Sequence, residues 1–190
     1  VKLIFATHNS NKAFEIQNLL PSHFHLLTLD DINFPEEIPE NEPTIEGNSV
    51  FKAQFIFNEF EMNCFADDTG LEIEALNGKP GVHSARYAGE DRNPDNNMNR
   101  VLDELKGISN RNARFKTVIT LIIEGEQYIF EGIVNGRIID EKHGNNGFGY
   151  DPIFIPENET RTFAEMDLAE KNQFSHRARA LEKMIEFLIE

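Results

Sequence analysis

The chain has no tryptophan and a single cysteine among its 190 residues. One thiol cannot close an internal disulfide, so a reducing cytoplasm is the expected compartment. Cys64 lies in "NCFADD", which reads as a buried strand, and this makes the thiol a core group. Long apolar runs are also missing. The longest, "VITLII", is strand-sized, and no membrane span is expected. No leader peptide is expected either, and an initiator Met is expected to have been removed or left unnumbered ahead of Val1. Cations are scarce: 18 Lys and Arg stand against 33 Asp and Glu, a formal charge of −15. A nucleic-acid partner needs a broad basic face and is not expected. A small phosphate ligand stays open, because a few clustered cations with a metal can dominate locally. GxxxxGK[ST] and GxGxxG are both absent, so neither a P-loop nor a dinucleotide fingerprint is available.

What is present is an ample core, 39% hydrophobic with 16 Phe. Strands and helices alternate in the first half. Residues 1–6 and 24–29 read as strands, with a helix from Asn9 or Ser10 to about Leu20, where Pro21 stops it. Residues 30–48 are acidic and proline-containing and read as a long loop of the kind that is often functional. A helix to about Glu61 follows, with Val50, Ala53, Phe57 and Phe60 as its apolar stripe and Lys52 on another face. "CFADDTGLEIEAL" suggests two strands joined at Thr69-Gly70. "NGKPGVHSARYAGED" reads as loop, and Asn93-Pro94 opens a helix with Met98, Val101, Leu102 and Leu105 inward. A β-meander from Ala113 to Asp140 is expected to turn at Gly125 and again at Asn135-Gly136. A final helix from Ser175 buries Ala178, Leu181, Met184, Ile185 and Leu188. The expected fold is α/β, a mixed central sheet flanked by helices, with residues 1–190 as one domain.

Four stretches carry chemistry. In Thr7-His8-Asn9-Ser10-Asn11-Lys12 a strand runs into a helix start, where unpaired N–H groups and the helix dipole favour an anion. The other reading is an ordinary helix cap with a surface lysine. In "FADDTGL", Asp67 and Asp68 point to opposite strand faces and end an apolar strand, which is costly unless they are paired or bind a hard cation such as Mg²⁺. The alternative is that they tie down the Thr69-Gly70 turn. Glu40 is a second candidate carboxylate. "NNGFGYDP" places two rings and Asp151 in a flexible loop that suits either a planar base or a tight β-bend. Finally, "AEKNQFSHRARAL" puts Lys171 before a helix start with His176 and Arg177 in its first turn, where Arg177 suits a phosphate or a keto oxygen; taken alone, His176 reads as a surface histidine.

Together these segments resemble the inosine triphosphate pyrophosphatases, the Ham1-like nucleoside-triphosphate pyrophosphatases. The resemblance spans nearly the whole chain and is carried by "FADDTGLEIEALNGKPGVHSARYAGE", "GFGYDPIF" and "AEKNQFSHRARAL". It implies two lobes around a cleft, a homodimer, Mg²⁺ dependence, and hydrolysis of dITP, ITP and XTP to monophosphate and pyrophosphate. It also implies a triphosphate loop at Thr7 to Lys12, phosphate-binding Lys52 and Lys171, and metal ligands Glu40 and Asp68. By the same resemblance Asp68 matches the acid that accepts the proton, and Thr69 the hydroxyl residue beside it. Phe148, Gly149, Tyr150 and Asp151, with His176 and Arg177, match the base pocket. The sequence departs from the family where a usual glycine is His8 and where the usual Glu-Asn-Ala is Gly47-Asn48-Ser49. Two alternatives remain: a pyrophosphatase of different base preference, and a nucleotide-binding module without turnover.

Overall fold

The computed structural model describes residues 1–189. Its strands are β1 (Lys2–Phe5), β2 (His25–Thr28), β3 (Cys64–Ile73), β4 (Asn112–Ile123), β5 (Glu126–Ile138) and β6 (Phe154–Pro156). Its helices are α1 (Ser10–Gln17), α2 (Ile45–Phe60), α3 (Pro94–Glu104), α4 (Leu168–Asn172) and α5 (His176–Ile189). One mixed sheet runs in the order β2-β1-β3-β4-β5-β6. β1 is parallel to β2, with Leu3 opposite Leu26, and parallel to β3, with Ile4 opposite Cys64. β5 and β6 are antiparallel. The chain divides into two compact units: Val1–Asp68, Thr117–Gly132 and Arg177–Glu190 in the first, Thr69–Lys116 and Ile133–His176 in the second.

The first unit is built by strand alternation. Leu3, Phe5, Phe65, Ile119 and Leu121 face one side of the sheet and pack with Ile16 of α1 and Ala180, Leu181 and Met184 of α5. Ile4, Ala6, Cys64, Ala66 and Ile122 face the other side and pack with Ala53 and Ile56 of α2. The period of two thus assigns α1 and α5 to one face and α2 to the other. In the second unit Leu71, Ile73, Val101, Phe115, Phe154 and Phe163 belong to a separate core against α3.

Several element boundaries differ from the sequence reading. α1 ends at Gln17 rather than Leu20, because the residue before Pro21 is biased out of the helical region. α2 starts at Ile45, inside the expected loop, with the Thr44 hydroxyl accepting from Gly47 N at 2.9 Å. β3 is one continuous strand with no turn at Thr69-Gly70. β5 likewise runs through Asn135-Gly136. Gly136 serves close packing there, since a Cβ would lie 2.3 Å from the Ile155 carbonyl oxygen. The Gly125 turn is present, with Glu124 and Gly125 both at positive φ as a two-residue hairpin requires. The end of the stretch read as strand, Glu74–Leu76, is a 3₁₀ turn, and the loop that follows contains a second 3₁₀ segment, Gly81–Arg86. α4 was absent from the sequence reading, although Asp167 and Glu170 form a capping box at its start.

The buried face of α2 is the most consequential difference. Ala53 is buried as expected, but Asn48, Ser49 and Lys52 are buried beside it, together with Ile45 and Ile56. Val50, Phe57 and Phe60 are only partly buried. A polar patch on this helix therefore faces the sheet.

Candidate active site

β1 leads through α1 to β2 on one side of it, and β2 leads through α2 to β3 on the other. The order β2-β1-β3 is a topological switch point, where open α/β sheets bind ligands outside the carboxyl ends of their parallel strands. The segment Thr7 to Lys12 leaves the carboxyl end of β1, and Asp67 and Asp68 lie on β3 beside it.

The Thr7–Lys12 turn is held from within. Asn9 is the helix cap, its Oδ1 accepting from Asn11 N at 3.0 Å and Lys12 N at 3.2 Å. The Thr7 hydroxyl accepts from Asn9 N at 3.0 Å. His8, Asn9, Ser10 and Asn11 are exposed. His8 is not among the residues at positive φ, so the missing family glycine imposes no left-handed strain. Its ring instead reaches the acidic loop, with Nδ1 3.0 Å from Asp30 Oδ1 and Nε2 2.8 Å from the Glu36 carbonyl oxygen. Both partners are acceptors, so the two contacts are satisfied together only by the imidazolium, in which both ring nitrogens donate. Burial works against that charge, but the Glu36 carbonyl, Asp30 and Glu37 outweigh it and raise the pKa above 6.5.

Asp67 and Asp68 diverge, as alternation requires. Asp67 shares the α1–α5 face. Its Oδ1 accepts from Lys12 Nζ at 3.2 Å and its Oδ2 from Arg177 Nε at 3.3 Å. Arg177 Nη1 also donates to Glu15. Glu15, a buried acid on α1, was not singled out from the sequence. Its signal was indirect: Arg177 lies on the same helical stripe as Leu181 and Met184, and a cation there requires a buried counter-charge. Burial alone would raise the Asp67 pKa, but Lys12, Arg177 and Lys52 outweigh it and lower it to about 2.

Asp68 shares the α2 face. Asn48 Nδ2 donates to its Oδ2 at 3.3 Å, and Lys52 Nζ lies 3.7 Å from its Oδ1. The same Nζ donates to Glu40 Oε1 at 2.9 Å. Burial pushes the Asp68 carboxyl up; Lys52 and Lys12 oppose this, and Glu40 and Asp67 add to the rise. For Lys52 the sign is reversed: burial lowers its pKa, and Asp68, Glu40 and Asp67 more than restore it. Among the described residues, no group of three or more His, Cys, Asp or Glu side chains is arranged to hold a metal. Glu40 and Asp68, both within reach of the Lys52 ammonium group, could offer two hard oxygen donors to a cation. That suits Mg²⁺, which takes one or two carboxylates and completes its shell with water and substrate phosphate.

The remaining predicted residues, apart from Arg177, belong to the second unit. Asp151 Oδ2 accepts from Lys171 Nζ at 2.8 Å and from Phe148 N at 3.1 Å. Lys171 and Asp151 are buried, and Lys171 also lies 4.8 Å from the centre of the half-buried Phe148 ring. Gly147, at φ 72°, leaves room for Asp151: a Cβ would fall 2.1 Å from its Oδ2. Tyr150 is buried, its hydroxyl donating to the Ser84 carbonyl at 2.6 Å, so it anchors the loop. His176 stacks on Phe115 at 4.6 Å. Thr69 continues β3 and is half-buried. A separate groove of about 720 Å³ in this unit, lined by Glu72, Arg114, Asn135, Arg137 and Asn158 among others, contains none of the predicted site residues. Among the described residues, no helix is long and apolar enough to cross a membrane.

Comparison with known proteins places this geometry in context. A sequence model of the Ham1 family matches residues 3–187. The chain is 55% identical over 188 residues to a dITP/XTP pyrophosphatase of Flavobacterium johnsoniae, covering 99% of this chain and 98% of that protein. It is 44% identical over 189 residues to the dITP/XTP pyrophosphatase of Bacillus subtilis, covering 97% and 96%. The structure of a HAM1 protein from Coxiella burnetii superposes with a TM-score of 0.91 at 37% identity, covering 100% of this chain and 98% of that one. The Staphylococcus aureus Ham1 protein gives 0.90 at 34% identity, covering 99% and 98%.

Proposed function

The chain belongs to the Ham1 family, and from that premise we propose that its switch-point cluster grips and hydrolyses the triphosphate of deaminated purine nucleotides. It is a nucleoside-triphosphate pyrophosphatase acting on dITP and XTP, as the names of its full-length relatives support, and on ITP, as the family resemblance implies. The observation that carries the site assignment is the pair of consecutive acids on β3, each meeting a lysine from a different helix.

The exposed Thr7–Lys12 turn receives phosphate oxygens, and Lys12 and Lys52 carry the charge that meets them. Lys171 is the third cation in this reading. Glu40 and Asp68 would hold Mg²⁺, which when bound neutralises triphosphate oxygens and the departing pyrophosphate. Asp68 accepts the proton of the water that attacks the α-phosphorus; burial, by raising its pKa, favours that role. Asp67 stays ionised and holds Lys12 and Arg177 in place. Fixed charges at set positions supply most of the rate.

Base choice rests on O6, a keto acceptor in inosine and xanthosine and an amino group in adenine. Nε and Nη1 of Arg177 are committed to Asp67 and Glu15. We assign the O6 donor to a backbone N–H of the Gly147–Tyr150 loop other than that of Phe148, which already donates to Asp151. Such a donor is left unpaired by ATP, which a polar site rejects strongly.

The test is pyrophosphate release by purified protein with Mg²⁺ and ITP, XTP, GTP or ATP. Rapid turnover of ITP and XTP with pyrophosphate as first product is expected. Equal turnover of ATP would remove the keto reading, and orthophosphate as first product would remove the assigned bond. Sedimentation of the same preparation reads the homodimer that the resemblance implies.

A further inference from the structure

The geometry points to Asn48 as a positioning residue that sets the orientation of Asp68 and at the same time anchors the loop carrying Glu40. This inference rests on the pyrophosphatase reading above. Asn48 is 1% exposed and lies on the polar buried face of α2. Its Nδ2 donates to Asp68 Oδ2 at 3.3 Å, and its Oδ1 accepts from Glu42 N at 3.0 Å. Chemistry fixes the amide orientation: a carboxylate only accepts and a backbone N–H only donates, so the flipped amide would lose both bonds. One side chain therefore spans two elements that are remote in sequence, β3 at Asp68 and the acidic loop two residues past Glu40.

Two neighbours support the assignment. Gly47 has no side chain where a Cβ would stand 2.9 Å from Glu42 Cβ and 3.0 Å from Thr44 Oγ1. The departure from the family pattern at Gly47 thus lets the loop lie against α2 and bring Glu42 N to Asn48. At the other end of the loop, the Glu36 carbonyl is held by His8 Nε2. Glu40 sits between these anchors, with its carboxylate on Lys52. Asn48 also suits the place because it is neutral. It steers one Asp68 oxygen by a hydrogen bond and adds no charge to compete with a bound cation. Partners in this position behind ligating carboxylates typically change affinity or activity 10- to 100-fold when removed.

The experiment compares the full chain with Asn48→Ala and Asn48→Asp. kcat for ITP is expected to fall about 10- to 100-fold in both, with KM within about 3-fold because the lysines remain. Calorimetric titration of nucleotide-free protein with Mn²⁺ is expected to show weakening of about 10-fold in Asn48→Ala. Glu42 amide exchange is expected to be slowed in the parent, to accelerate in Asn48→Ala, and to stay slow in Asn48→Asp, which keeps the acceptor. Parent-like kcat and Mn²⁺ affinity in a folded variant would overturn the proposal. An unprotected Glu42 amide in the parent would overturn it with no variant at all. If the parent releases no pyrophosphate from ITP, the functional reading fails, while Mn²⁺ affinity and Glu42 exchange still decide the role of Asn48.

Discussion

Asp67 and Asp68 stand side by side on β3 and are held from opposite faces of the sheet. α1 and α5 supply Lys12 and Arg177 to the first; α2 supplies Asn48 and Lys52 to the second. The two environments push the carboxyls apart, Asp67 down to about 2 and Asp68 up. Paired acids driven apart in this way fit the division proposed above between a permanent anion and a proton acceptor.

Replacing Asp68 with Asn should lower kcat for ITP by about 10²- to 10⁴-fold, the range for removing a general base. The fold should survive, because Asn still accepts from Asn48. Steady-state kinetics with an unfolding curve on the same sample separates the two effects. Near-normal turnover would remove Asp68 from its assigned role.

Arg177→Met strands Glu15 without its guanidinium partner. Breaking a buried ion pair from one side costs about 3–5 kcal/mol, so denaturant unfolding should show a loss of that order. Adding Glu15→Gln removes the stranded charge and should recover part of the loss, because Asp67 keeps Lys12. An Arg177→Met variant as stable as the parent would show that the guanidinium contributes nothing net.

His8 makes stability depend on pH in a defined direction. Its folded pKa is raised above 6.5, so its stabilisation is fully present below 6.5 and is lost as pH rises through the folded value. His8→Gln should therefore melt lower than the parent in mild acid and approach it in alkali. Imidazole titration by NMR reads the pKa directly, and a His8 value at or below 6.5 would contradict the imidazolium assignment.

Gly136→Ala places a methyl 2.3 Å from the Ile155 carbonyl oxygen and 2.6 Å from the Phe154 ring. The β5–β6 pairing has to shift to admit it, at a cost of about 1–3 kcal/mol. A turn at this position would accept alanine with little change, so unfolding data on this one variant distinguish strand from turn.

Much of the first unit was legible because strands alternate. "KLIFA" and "CFADD" assign their faces by parity alone, and that parity is enough to separate Asp67 from Asp68. Glycine was the commonest source of error. Gly70 and Gly136 read as turns, yet both lie inside strands, and for Gly136 the reason is the approach of another backbone. α2 misled because periodicity analysis treats polar residues as solvent-facing, while Asn48, Ser49 and Lys52 face inward to meet partners on β3, on β4 and in the acidic loop. The partners of Arg177 and Lys171 were hidden because they come from distant segments, which local patterns do not connect.

Each proposed phosphate-binding lysine already holds a carboxylate: Lys12 on Asp67, Lys52 on Glu40, and Lys171 on Asp151. On the proposed reading, substrate entry would be an ion exchange, in which incoming phosphate competes with resident counter-ions instead of filling a bare positive field. A singly charged anion offers the lysines no more than the carboxylates do. A metal-chelated triphosphate offers several contacts at once, and its cation would give Glu40 a new partner in place of Lys52. On a chain of formal charge −15, the arrangement proposed here would turn stray anions away and favour a ligand that brings its own divalent ion.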